Sequence, residues 1–201
     1  MSSRRQVLKQ LVAMGALAGL SALPRAQAAT PEAKASAVGR YHMPDEAGPQ
    51  ARVWVAFGAS RDIWGRNYKD VQATIGRLVQ AMAPHTKVNV LCREEEEDLA
   101  RQLCGEGSTR FIHAELDDIW LRDTGGVFVR NGEGELGLVD FNFNGWGDKQ
   151  EHEQDGGVAE WVSTQADAHY LQSRLTGEGG GIEVDGKGTA ILTESCWLNG
   201  N

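Results

Sequence analysis

The sequence has little proline, little cysteine and no metal-binding spacing. Its 201 residues include only 5 Pro and 3 Cys, and no Cys-x-x-Cys or His-x-x-x-His spacing occurs. A polyproline stalk is therefore excluded, and a zinc site has no support from the spacing. Apolar residues make up 41% and charged residues 24% of the chain, as in ordinary globular domains, which also excludes wholesale disorder.

Basic residues are scarce outside the first 28 positions. Those positions hold four of the 20 Lys and Arg residues and no acidic residue. Residues 29–201 are left with 16 basic against all 28 acidic residues, a net charge of −12. A body this acidic binds polyanions poorly, so neither nucleic acid nor an anionic membrane is expected as a partner. A small cation suits it better.

The first 28 residues have the pattern of a twin-arginine signal peptide. Arg4 and Arg5 precede an uncharged stretch, 11–23, and Ala26-Gln27-Ala28 is a small-x-small cleavage site. The uncharged stretch is shorter than the about 20 residues that span a bilayer. We therefore expect the twin-arginine export machinery as a partner, a periplasmic (or extracellular) location and no membrane contact after cleavage. The alternatives are an N-terminal membrane anchor and a frayed amphipathic helix, and 29–40 is predicted to be a flexible lead-in.

Hydrophobic periodicity predicts a mixed α/β chain rather than one doubly wound sheet. The predicted strands are 53–57, 87–91 and 110–113, the helices 67–83 and 94–104, and the hairpins 127–141 and 182–193. Cys92 ends a strand and Cys104 lies on the apolar side of the next helix. Buried thiols are expected at both positions, with a Cys92–Cys104 disulfide as the alternative.

Three clusters of polar and aromatic residues are candidate sites. They are residues 117–125 (DDIWLRDTG), 141–147 (FNFNGWG) and 178–181 (EGGG). Carboxylates beside tryptophan suit a planar cation such as a guanidinium, which two carboxylates grip side-on and an aromatic face stacks upon. The glycines are expected to let the backbone approach a ligand closely. The structural alternatives are an Arg122–Asp123 ion pair, an aromatic loop that caps the core and a flexible glycine turn.

In chain order, these motifs resemble the family of agmatine deiminases and Porphyromonas-type peptidyl-arginine deiminases. The segments that carry the resemblance are Met43-Pro44-Asp45-Glu46, 118–125, 143–147, 178–182 and 185–189, within a match over about 41–201. The resemblance implies an α/β fold, the five-bladed pentein propeller of guanidine-modifying enzymes. It also implies hydrolysis without metal or cofactor, of agmatine to N-carbamoylputrescine or of peptidyl-arginine to peptidyl-citrulline.

The resemblance also assigns site residues. It makes Asp123 and Glu178 the catalytic and substrate-binding carboxylates and Trp120 a wall of the substrate pocket. The family's catalytic His-x-Asp pair and its nucleophilic cysteine lie further along than this chain extends. Cys196 matches a family position on a structural strand and is expected to be inert packing. Residues 41–201 are therefore expected to be the N-terminal part of a propeller domain, truncated at the C-terminus, inactive and poorly soluble alone.

The chain departs from the family pattern at three positions. Ala47 and Gln50 replace the usual Trp and His, and Gly126 replaces the usual Pro after Thr-Gly. Export also fits poorly with putrescine biosynthesis in the cytoplasm. Two other functions stay open: an exported, non-catalytic guanidinium-binding protein, and a glycosidase that uses Asp123 and Glu178 as acid and base.

Overall fold

The computed structural model of the chain describes residues 41–198. The predicted signal peptide (1–28), the lead-in (29–40) and residues 199–201 lie outside the described residues. Over 41–198, the helices are all too short or too polar to cross a bilayer.

The described chain alternates strands and helices. The strands are β1 (Tyr41–His42), β2 (Val53–Ala56), β3 (Val88–Cys92), β4 (Thr109–His113), β5 (Val127–Asn131), β6 (Leu136–Asp140), β7 (His169–Gln172), β8 (Ile182–Val184) and β9 (Ala190–Leu192). The helices are α1 (Arg61–Trp64), α2 (Tyr68–Met82), α3 (Glu97–Cys104), α4 (Leu121–Thr124), α5 (Gly145–Asp148), α6 (Val158–Gln165) and α7 (Glu194–Trp197). Short 3₁₀ turns span Gly65–Asn67, Glu94–Glu96, Asp155–Gly157 and Gly179–Gly181.

The first sheet is parallel, with β3 between β2 and β4. Every residue of β3 is buried, as expected for a central strand whose two faces are covered. The crossover helices α2 and α3 pack Val79 and Ala100 against one face of this sheet. The predicted strands and both predicted helices of this region are confirmed.

The second sheet has the order β1-β5-β6-β7. β5 and β6 form the predicted antiparallel hairpin, and α6 returns the chain to β7, which runs parallel to β6. Leu138 of β6 packs in one core cluster with Leu91 of the first sheet and Val162 of α6. The two sheets therefore share a hydrophobic core beneath the loops at their ends.

A third, two-stranded sheet follows, in which β8 and β9 form the second predicted hairpin. The chain is thus α/β with three open sheets, and the expectation that it is not one doubly wound sheet is confirmed. Cys196 lies on the helical turn α7, so its expected place on a strand is wrong. Cys92 and Cys104 are buried thiols with no disulfide between them, and burial raises the pKa of each to about 11.

Candidate functional site

Asp123 meets the glycine run that follows Glu178. We call residues 117–124 the site loop; its last turn is α4, which ends against the start of β5. The Asp123 side chain accepts a hydrogen bond from the backbone N–H of Gly180 at 3.1 Å. Two motifs that lie 57 residues apart in sequence are therefore joined at one place, as the sequence analysis expects for residues of one site.

The glycines allow this contact because they lack side chains. A Cβ on Gly180 would overlap the carboxylate of Asp123, and a Cβ on Gly181 would lie 2.9 Å from Cβ of Cys196. At these two glycines the backbone closely approaches the protein's own site loop and α7. The segment is a packed 3₁₀ turn, so the alternative of a flexible turn is wrong.

Glu178 lies behind this turn and is only 7% exposed. Its carboxylate accepts a hydrogen bond from the thiol of Cys196. Burial, and then Glu178, raise the pKa of Cys196 to about 11. The thiol therefore stays protonated at neutral pH and is a poor nucleophile, which supports the expected packing role of Cys196.

Several aromatic rings lie together around Trp120. Trp120 is 42% exposed, and its ring stacks on Trp64 with centroids 6.2 Å apart and planes at 29°. Trp146 meets Trp120 edge-on at 6.3 Å and Phe143 edge-on at 5.0 Å. The aromatic loop 141–147 therefore lines the same site as Trp120, where the sequence left open whether it merely caps the core.

The environment of Asp123 favours a bound cation. Burial raises the pKa of this carboxyl, while the hydrogen bonds from Gly180 and Trp146 and the charge of Arg122 oppose the rise. A half-buried carboxylate that ionises at some cost gains from an opposite charge placed against it. A cation stacked on Trp120 would supply that charge.

Trp64 and Asp118 also belong to the site, although the sequence motifs assign a role to neither. Asp118 is 1% exposed, and its two oxygens accept hydrogen bonds from Nε1 of Trp64 at 2.6 Å and Nε2 of Gln150 at 3.1 Å. The order of the strands is the signal that predicts the proximity of Trp64 and Asp118. Trp64 follows β2 and Asp118 follows β4, and the carboxyl ends of parallel strands meet at one edge of a sheet.

Arg122 turns away from Asp123. Its guanidinium forms ion pairs with Glu46 and, at 3.3 Å, with Glu183 of β8. The alternative of an Arg122–Asp123 ion pair is therefore wrong.

The backbone of Asp45 also packs on Gly186 in the β8–β9 turn, where a Cβ would lie 2.6 Å from the Asp45 nitrogen. The Met-Pro segment is thus fixed to the third sheet beside the site.

Gly126, one of the departures from the family pattern, is required by the local backbone. Its φ is +73°, and a Cβ there would overlap the side chain of Leu138. Proline holds φ near about −65° and could not adopt this conformation. Glycine therefore suits this backbone position, where proline does not.

No group of three or more His, Cys, Asp or Glu side chains placed to hold a metal ion occurs in the described part of the chain, 41–198. Asp123, Trp120 and Trp146 make an anionic, aromatic surface, and Glu178 is buried in the adjoining turn.

Comparison with known proteins gives one consistent result. The family described as Porphyromonas-type peptidyl-arginine deiminase matches residues 42–201. Agmatine deiminase of Pseudomonas putida is 36% identical over 172 residues, which cover 80% of this chain and 45% of the relative. Agmatine deiminase of Ectopseudomonas mendocina is 34% identical over 167 residues, with the same coverage of 80% and 45%. The chain therefore spans about half the length of the curated relatives it matches.

Solved structures agree with the sequence comparison. The agmatine deiminase of Enterococcus faecalis has a TM-score of 0.75 at 29% identity and covers 88% of this chain and 48% of its own. The agmatine deiminase of C. jejuni has a TM-score of 0.68 at 19% identity, covering 80% and 48%, a likeness that shows the fold alone.

Proposed function

The chain belongs to the Porphyromonas-type peptidyl-arginine deiminase family, and we propose that the complete natural protein is a hydrolase that removes ammonia from a guanidinium group. One water is consumed, the guanidinium carbon becomes a ureido carbonyl and one ammonium ion leaves. The substrate is agmatine, giving N-carbamoylputrescine, or arginine in a peptide, giving citrulline. The relatives named above are agmatine deiminases.

The observation that carries this proposal is the junction of Asp123 with the Glu178-Gly179-Gly180 turn beneath the tryptophans. Asp123 is within hydrogen-bond distance of Gly180, Glu178 is buried two residues before that glycine, and Trp120 presents a partly exposed ring on the same loop as Asp123. A guanidinium carries its donors in a plane, so it can bond to a carboxylate at its edge while its face stacks on an indole.

We propose that the nucleophile lies outside residues 41–198. Attack on a guanidinium carbon needs a thiolate, and departing ammonia needs a proton donor. Cys196 fits the first role poorly, because burial and Glu178 keep its thiol protonated. We assign both roles, as the resemblance implies, to a cysteine and a histidine in the half of the relatives' length that this chain does not match.

We propose that residues 41–201 contribute part of a five-bladed pentein propeller. We also propose that residues 1–28 direct export by the twin-arginine machinery to the periplasm, with no metal or cofactor required.

The proposal is tested by incubating the purified complete natural protein with agmatine and, separately, with an arginine-containing peptide. Release of ammonia together with a ureido product supports it. Binding of the guanidine without turnover would instead support the non-catalytic guanidinium-binding protein. Glycoside hydrolysis that survives iodoacetamide would support the paired-carboxylate glycosidase, which needs no thiol.

A further inference from the structure

The carboxylates of Asp117 and Asp155 each accept backbone N–H groups from the other's segment, where the site loop meets the residues before α6. The Asp155 carboxylate accepts the N–H of Asp117 at 2.9 Å. In return, the Asp117 carboxylate accepts the N–H groups of Gln154 and Asp155 at 2.8 and 3.0 Å. These three bonds fix the start of the site loop, a few residues before Trp120.

Asp155 is an unusual partner for this role because half of its carboxylate is unsatisfied. The residue is 1% exposed, and within 41–198 its Oδ2 has no hydrogen-bond partner. A buried polar atom without a partner costs free energy, so folded proteins keep few of them. An apolar residue here would avoid that cost but would lose the bond to the site loop.

The charged side chains that face Asp155 are themselves acidic. Asp117 and Asp118 both lie on the site loop, and Asp118 is also buried. Arg93 reaches the same loop, but it donates to the carbonyl oxygens of Leu116 and Asp117 and pairs with Glu96 instead. Three carboxylates therefore share this place without a cation bound to Asp155 among the described residues.

Titration of Asp155 follows from this placement. Burial, and then the charges of Asp117 and Asp118, raise the pKa of Asp155 to about 6, against the opposing effect of the Asp117 and Asp118 N–H groups. The pKa of an ordinary aspartate is about 3.9, well below this value. Asp155 therefore changes its charge between pH 5 and 7.

We propose that Asp155 is a positioning residue whose ionised form holds the site loop so that Trp120 and Asp123 can bind a guanidinium. An ionised carboxylate accepts an N–H about twice as strongly as a neutral group does. Protonation weakens the hold on the site loop and also relieves the repulsion among the three carboxylates. The weaker hydrogen bond from the Asp117 N–H gives the loop more freedom. The substrate in this inference rests on the proposed function, whereas the effect of Asp155 on the site loop does not.

The loop itself is tested without substrate, by tryptophan emission of the complete natural protein between pH 5 and 7.5. Subtraction of the Trp120→Phe spectrum isolates the emission of Trp120. We expect this emission to shift with a midpoint near pH 6 in the wild type and to stay constant in Asp155→Asn. Glu153→Gln, an exposed carboxylate two residues away, is the matched control and should shift like the wild type.

A second variant tests the proposal even if Asp155→Asn fails to fold. Asp117→Asn keeps an acceptor for the two N–H groups but removes a negative charge, so the midpoint of the Trp120 shift should move to lower pH. A Trp120 emission that is constant in the wild type, or that shifts unchanged in Asp155→Asn, overturns the proposal. So does an unmoved midpoint in Asp117→Asn.

Kinetics then test the substrate side. At pH 7.5, Asp155→Asn should raise KM for the guanidine substrate at least fivefold and leave kcat within twofold. At pH 5.5 the KM values of the two proteins should converge. Equal KM values at pH 7.5 would overturn the binding role. A wild type with no deiminase activity would contradict the proposed function, while the emission measurement would still decide the role of Asp155.

Discussion

The indole N–H of Trp64 donates a 2.6 Å hydrogen bond to the buried carboxylate of Asp118. This bond links α1 to the site loop and sets the ring of Trp64 against that of Trp120. The position of the exposed Trp120 ring thus depends on a contact made by the ring beside it.

The Trp64–Asp118 bond predicts the effect of Trp64→Phe. The ring is kept but the donor is lost, which leaves a buried carboxylate oxygen unpaired. We expect the free energy of unfolding to fall by about 1–3 kcal/mol, and KM for the substrate to rise as Trp120 loses its support. Urea denaturation and steady-state kinetics measure the two effects.

The control for this variant is Trp161→Phe. Trp161 also donates its indole N–H, to the carbonyl of His113, but it is 41% exposed. Water can replace that donor, so its loss should cost less than the loss at Trp64. Equal costs at the two positions would show that the Trp64–Asp118 bond has no special importance.

Asp123→Asn tests the proposed ionic hold on the guanidinium. The substitution keeps the shape of the side chain and its acceptor for Gly180, but removes the charge. We expect kcat/KM of the complete natural protein to fall by at least about 100-fold, which corresponds to about 2.7 kcal/mol of transition-state stabilisation. Asp70→Asn, an exposed aspartate on α2, should behave like the wild type. Turnover within tenfold of the wild type would remove Asp123 from the mechanism.

Glu178→Gln is expected to act on both the chemistry and a neighbouring thiol. Deimination should fall by a similar factor, because a second carboxylate of the site is neutralised. Loss of the Glu178 charge should also lower the pKa of Cys196, which Glu178 raises. At pH 8.5, a thiol reagent should therefore modify Cys196 faster in the variant than in the wild type.

Cys92 and Cys104 do not complicate the thiol measurement, since they are 0% and 2% exposed. Glu133→Gln, at an exposed turn, is the matched control. Unchanged modification of Cys196 in Glu178→Gln would show that the two side chains do not interact in solution.

Stability should depend on pH through Asp155. Its pKa in the fold, about 6, lies above the ordinary value of 3.8. The folded protein therefore binds the proton more tightly than the unfolded chain. This contribution to stability is fully present below pH 4 and is lost as the pH rises through 6.

Asp155→Asn removes that dependence. As the pH rises from 4 to 7.5, the wild type should lose about 2–3 kcal/mol of unfolding free energy that the variant does not lose. The stability of the variant relative to the wild type should therefore increase by that amount. Denaturation at a series of pH values measures the difference, with Glu153→Gln as the control. A difference that does not change with pH would mean that Asp155 ionises at its ordinary pKa.

Local patterns were enough to predict most of the secondary structure. The apolar runs of β2 and β3, the helical spacing of α2 and the turn residues of both hairpins determine those elements directly. β7 was missed because His169–Gln172 is short and mostly polar, and it forms a strand only through its pairing with β6. Pairing with β6, rather than the local sequence, therefore makes this segment a strand.

The site was only partly predictable for the same reason. Asp123, Glu178 and Trp120 lie in dense local motifs, so the sequence draws attention to them. Trp64 and Asp155 act through partners that are distant in sequence, and no local pattern predicts such pairs. Cys196 was placed on a strand by resemblance, but the chain had already turned into α7.

The two hairpin turns, which are similar in sequence, differ in how much change of length they tolerate. At Asn131–Gly134, the glycines face open space. At Asp185–Gly188, Gly186 packs against Asp45 while Arg122 pairs with both Glu46 and Glu183. An inserted residue or a peptide tag can be accommodated in the first turn. In the second it would push apart the segments that flank Asp123, so natural variation in length and labels for experiments belong at Gly132.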